Sequence, residues 1–168
     1  YHLWYFPGVI LGVLVARGLL RLGPRTALAA AGLLYLVGLG GDSYYGLACR
    51  LPALEALYGG IFQIFAYTRN GLFFTPLFLL LGAAGVRWNV RTSAAGLCAA
   101  FAAMTAEGLW LHGLQVQRHD SMYVLLPLVM VCLFSLLLGL NRGERRSCRK
   151  LSSLIYVLHP WCIVLVRG

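Results

Sequence analysis

The residues able to do chemistry are few and sit in an otherwise apolar chain. Glu107 and His112 stand five apart in one apolar run, about 140° round a helix, so they do not share a strict face. Both can line one cavity, or Glu107 can simply pair with an arginine of a neighbouring helix. Arg69-Asn70-Gly71 opens another run. Arginine offers a rigid fork for carboxylate or phosphate, and asparagine can cap a helix whose free N–H groups favour anions. The competing reading is an interface anchor plus a cap. Asp42-Ser43-Tyr44-Tyr45 places a carboxylate, a hydroxyl and two phenols at one helix end, suited either to a polar substrate or to an aromatic belt with Asp42 paired to an arginine.

His2 and His159 each lie near a proline, Pro7 and Pro160, that leaves a helical carbonyl without its donor. Tyr156 and His159 share a face, and a histidine there can shuttle protons or serve only packing. His119-Asp120-Ser121 contains the parts of a triad, but adjacent residues do not face each other as a triad must; Ser121 reads as the N-cap of the helix that follows. The five cysteines form no C-x-x-C pair and have no histidine at ligand spacing, so no metal site is expected. No Walker loop, dinucleotide fingerprint, H-E-x-x-H or G-x-S-x-G is present.

The elements that must hold these groups follow from composition. Of 168 residues 60% are hydrophobic and 11% charged, against roughly 25% charged in ordinary globular chains. Mean hydropathy is +0.78. So few charges cannot cover a soluble surface, and the chain reads as an all-α integral membrane bundle, one domain over residues 1–168. Uncharged runs place spans at 1–20, 26–41, 70–86, 92–117, 121–141 and 151–166. The apolar stretch 56–68 is too short to cross and is expected as an interfacial or re-entrant helix.

The net charge of +9 does not form a nucleic-acid-binding patch, because the positive residues lie between the apolar runs. Linkers 17–25, 87–91 and 142–150 hold ten Lys or Arg, and the alternate linkers with the C-terminal end hold four. The positive-inside rule puts the first set in the cytoplasm of a multi-pass plasma-membrane protein, with both ends outside. The chain opens at Tyr1 without a charged leader and closes after Arg167-Gly168, so a fragment of a longer membrane protein is expected.

Five phrases in order carry a resemblance: His2-Leu3-Trp4-Tyr5, Gly41-Asp42-Ser43-Tyr44-Tyr45-Gly46, Tyr67-Thr68-Arg69-Asn70-Gly71-Leu72-Phe73-Phe74, Arg118-His119-Asp120-Ser121-Met122-Tyr123 and Ile155-Tyr156-Val157-Leu158-His159-Pro160. Together they resemble the acyltransferase 3 family of multi-spanning bacterial membrane proteins, nearest to its membrane-bound serine/alanine racemase type of vancomycin resistance. The resemblance implies a later portion of an array of about ten helices. It also implies transfer of an acyl group from cytoplasmic acyl-CoA to an acceptor outside, with no bound cofactor. The family's catalytic histidine lies in a first helix that has no counterpart here, so no histidine of this chain takes that role.

Arg69 and the Trp4-Tyr5 phrase match family motif positions. On the acyl-transfer expectation Arg69 stabilises charge, His112 or His159 handles protons and Glu107 orients or pairs. Trp4, Tyr5, Asp42, Tyr45 and Asn70 line the substrate. The alternative is uptake of L-serine or another amino acid for a soluble, pyridoxal-phosphate racemase domain that follows the membrane part in such relatives. Arg69 would then meet the carboxylate and Asp42 or Glu107 the ammonium. A purely structural membrane anchor is the third reading.

Overall fold

The computed structural model describes residues 5–140, except for the side chain of Tyr5. Trp4, His2, His159 and the sixth expected span, 151–166, lie outside the described residues. Those residues form an all-helical structure of seven helices: α1 Tyr5–Leu20, α2 Pro24–Gly40, α3 Tyr45–Ala48, α4 Pro52–Ile64, α5 Thr75–Ala84, α6 Val90–Leu114 and α7 Leu126–Leu140.

Local chemistry explains where each begins. Pro24 occupies the first turn of α2, where its missing N–H costs nothing. Asn89 caps α6 by accepting the Thr92 amide at 2.7 Å. That helix ends where Gln115 turns left-handed, at φ 53°. The third expected span is shorter than its apolar run. Asn70 Oδ1 accepts the amides of Leu72 and Phe73 at 2.9 and 3.1 Å, folding residues 70–74 into a turn and delaying α5 to Thr75. The helix expected at 56–68 runs over Pro52–Ile64 instead, because Pro52 supplies a first turn and Phe65 is already extended.

α1 and α2 run antiparallel and pack on α5, while α6 and α7 form a second hairpin that meets the first through α5 and α7. Ala16, Ala27, Ala31, Tyr35, Leu39, Leu77 and Leu80 make the core between the first three. The starts of α1 and α5 approach backbone to backbone: a Cβ on Gly71 would strike the Gly8 carbonyl, and one on Gly12 would lie 2.5 Å from Thr75 Cγ2. At the opposite end Ser135 of α7 donates to the Val86 carbonyl at 2.9 Å. Connections 41–51, 65–74 and 115–125 therefore gather at one end, and 21–23 and 85–89 at the other.

The helices turn large apolar side chains outward. Ile10, Leu14 and Leu33 are each more than 60% exposed, and Leu109 is 70% exposed. Among the described residues only α6, with 25 residues, is long and apolar enough by itself to cross a bilayer; α1, α2, α5 and α7 are shorter apolar helices. Most of the apolar stretch of α6 faces away from the protein, unlike the core helix of a soluble domain.

Candidate functional site

The end of the bundle where three connections meet holds most of the predicted polar residues. Asp42 sits in the turn after α2, 1% exposed. Its Oδ1 accepts the Ser121 amide at 2.9 Å and lies 3.2 Å from Ser43 Oγ, which is also 3.1 Å from the His119 carbonyl. The Asp42 carbonyl accepts the Arg118 amide at 3.1 Å. Burial pushes the Asp42 carboxyl above its usual range, and the hydrogen bonds from Ser121 and Ser43 pull part of the way back.

Ser121 is therefore not the cap of the following helix, which starts five residues later. Its amide serves Asp42, and its hydroxyl accepts Arg69 Nη1 at 2.7 Å. The two residues before Arg69 fix its segment in place. Thr68, itself buried, donates to the Gly38 carbonyl at 2.8 Å, and the Tyr67 ring lies 4.8 Å from the imidazole of His119. Arg69 and Asn70 border a cavity of ≈ 700 Å³, whose other walls include Pro7 and Leu11 of α1 and Phe65 and Tyr67. An apolar cleft with one fork-shaped cation suits a small ligand bearing a carboxylate.

Glu107 occupies a second polar position. Oε1 accepts the Tyr44 hydroxyl and the Val124 amide, both at 2.7 Å, and Oε2 accepts the Leu125 amide at 3.3 Å. It thus fills the acceptor role at the start of α7, where Pro127 has no N–H to satisfy and free amides favour an anion. Burial, and then the carboxylate beside it, hold the Tyr44 hydroxyl protonated above the usual phenol range. Tyr35 donates to the Tyr123 carbonyl at 2.7 Å, closing the same corner.

Of the other predicted residues, His112 and Tyr45 fall apart from the cavity. His112 is exposed in the last turn of α6, where its carbonyl accepts the amide and the side chain of Gln115. Tyr45 packs edge-on to Tyr58 and Phe62, and Arg118 lies over the Phe62 ring at 3.5 Å. Tyr58 donates to the Val37 carbonyl at 2.9 Å and so ties α4 to the end of α2. Asn70 sits beside Arg69 with both ends of its amide engaged, Nδ2 donating to the Tyr67 carbonyl. Sequence reasoning missed Thr68 and Tyr58, which satisfy the last carbonyls of α2, and the place of Ser121 between Asp42 and Arg69. The phrases that carry the resemblance contained Thr68 and Ser121 without revealing either role.

Among the described residues no group of His, Cys, Asp and Glu could hold a metal ion. No family model matches the chain, and no solved structure matches it. Curated relatives do. An amino-acid racemase of Enterococcus faecalis is 42% identical over 175 aligned residues, covering all of this chain and 25% of that protein. A serine/alanine racemase of Enterococcus gallinarum is 39% identical over 97% of this chain and 24% of its own length. A second amino-acid racemase of Enterococcus faecalis is 40% identical over 95% of this chain and 23% of its own. The chain spans about a quarter of the length of the curated relatives it matches. Along nearly its whole length it is similar to part of proteins named for amino-acid racemisation.

Proposed function

We propose that this chain is part of the membrane domain of a membrane-bound amino-acid racemase, and that the domain takes up a small neutral amino acid such as L-serine for a separate racemase domain. The observation that carries the reading is the roughly 40% identity to racemase-named relatives over 95–100% of this chain, confined to about a quarter of theirs. The relatives' names bring racemisation and no acyl transfer, so uptake stands ahead of transfer from acyl-CoA.

In this reading α1, α2, α5, α6 and α7 cross the plasma membrane and α4 lies at its outer face. The outward-facing Ile10, Leu14, Leu33 and Leu109 then meet lipid or neighbouring helices. The short helices complete their spans with flanking residues, and Arg17, Arg21, Arg25, Arg87 and Arg91, all exposed, snorkel to the cytoplasmic interface. Arg69, at the outer mouth, receives the substrate carboxylate in the cavity beside α1.

The test uses the full-length protein in sealed vesicles, with labelled L-serine on the outer face and no acyl-CoA. Saturable entry is expected, and its loss in Arg69→Ala. Entry no faster than in empty vesicles refutes uptake, and wild-type entry in Arg69→Ala refutes the site.

A further inference from the structure

Asp42 was expected to meet a substrate ammonium, and its surroundings give it other work. We propose that Asp42 is a positioning residue that aims Arg69 through Ser121 and never touches the substrate. The inference rests on the reading of Arg69 as the carboxylate-binding group.

Three observations carry it. First, Asp42 is 1% exposed and its Oδ1 is occupied by the Ser121 amide and Ser43. A ligand in the cavity bordered by Arg69 has no surface of Asp42 to reach. Second, a buried carboxylate is costly unless it is hydrogen-bonded, and here Asp42 and its neighbour Ser43 bond between them to three residues of one connection. The Ser121 amide binds the side chain, the Arg118 amide binds the Asp42 carbonyl, and Ser43 reaches the His119 carbonyl. Residues 118–121 are thereby fixed to the end of α2.

Third, that fixed segment grips the segment carrying Arg69 at neighbouring points. The Tyr67 ring lies tilted against the His119 imidazole, and Arg69 Nη1 donates to Ser121 Oγ at 2.7 Å. Between them Thr68 is tied to Gly38, four residues before Asp42 in the same helix end. A guanidinium is rigid and planar, so holding Nη1 on a segment already tied down at Thr68 narrows the orientations open to the rest of the fork. A bidentate carboxylate requires that orientation to be right, so an error in the position of Ser121 appears as weaker binding.

Two readouts on the full-length protein in sealed vesicles test this. In L-serine uptake, Asp42→Ala and Ser121→Ala should each raise the half-saturating concentration by about tenfold, with the maximal rate held. The double variant should do no worse than either single one, because both act through one contact. Asp42→Asn keeps an acceptor for the Ser121 amide and should recover most of the loss. Additive effects, or a loss in Asp42→Ala that Ser121→Ala lacks, would mean that Asp42 acts on the substrate itself and would overturn the proposal.

The second readout needs no substrate. Phenylglyoxal modification of Arg69, measured by mass spectrometry against the exposed Arg50 as reference, should speed up several-fold in both single variants. If neither changes it, positioning is refuted whatever the uptake assay gives. If wild type shows no uptake while both variants release Arg69, uptake fails and the positioning chain stands.

Discussion

Replacing Glu107 separates a brace from a group in the substrate path. Its carboxylate accepts from Tyr44 and Val124 at 2.7 Å and from Leu125 at 3.3 Å. A hydrogen bond to a charged acceptor contributes about 1.5–3 kcal/mol, and the half-open setting of Glu107 and Val124 favours the lower end. The third bond is long and adds little. Glu107→Ala should therefore cost about 2–4 kcal/mol, because two amides at the start of α7 and one phenol lose their acceptor together. Glu107→Gln keeps one oxygen and should cost about half as much. The assay is thermal unfolding of the purified full-length protein in detergent, read by tryptophan fluorescence, within a cycle that includes Tyr44→Phe. Once Glu107 is alanine, Tyr44→Phe should cost nothing further; in the wild-type background it should cost about 1.5 kcal/mol. The opposite pattern, wild-type stability in Glu107→Ala with uptake abolished, would refute the brace and return Glu107 to the substrate path.

Two further outcomes follow from the same geometry. Gly71→Ala should strongly destabilise the fold, by about 2–4 kcal/mol, because its Cβ meets the Gly8 carbonyl and Leu11 at the crossing of α1 and α5; Gly32→Ala, in open space on α2, should be neutral or stabilising by up to about 1 kcal/mol. Comparing their unfolding midpoints checks the pair, and equal midpoints would remove the close crossing. The Asp42 carboxyl is raised above its ordinary 3.8, chiefly by burial. The folded state therefore holds its proton to higher pH than the unfolded chain, and stability falls as pH rises through that interval. Thermal midpoints of wild type and Asp42→Asn should diverge in favour of Asn as pH rises from about 4 toward neutrality, on top of any constant offset. A gap that closes with rising pH would mean that Asp42 is stabilised as an anion.

Much of the scaffold was legible because its signals are local. Pro24 announces α2, and the charges at 17–25 and 87–91 bracket the apolar runs. The boundaries that moved did so through side chains bonding to their own backbone. Asn70 was read as a helix cap, and it turns 70–74 first, so α5 begins late. Ser121 was read as a cap on sequence position alone. Its partners lie 52 and 79 residues away, Arg69 and Asp42, and nothing in the neighbouring residues encodes them. Glu107 posed the same problem in another form: an arginine partner would leave a trace in the sequence, and a backbone amide leaves none.

The two ends of the bundle treat their arginines differently, and this bears on where selectivity resides. Arg17, Arg21, Arg25, Arg87 and Arg91, at the end proposed as cytoplasmic, are all exposed. Charges placed so are interchangeable in kind and set orientation by number. At the other end Arg69 is held by Ser121, and Arg118 lies 3.5 Å over the Phe62 ring while its amide serves Asp42. Those two sit in defined geometries, which a lysine would not reproduce. Lysine at 17, 21 or 87 should leave uptake unaltered. Lysine at 69 keeps the charge and loses the planar fork, so it should weaken binding of a carboxylate ligand more than its unchanged charge suggests. If Arg69→Lys matches wild type in half-saturation, the site needs only a positive charge, and the grip of Ser121 on the guanidinium has no part in recognition.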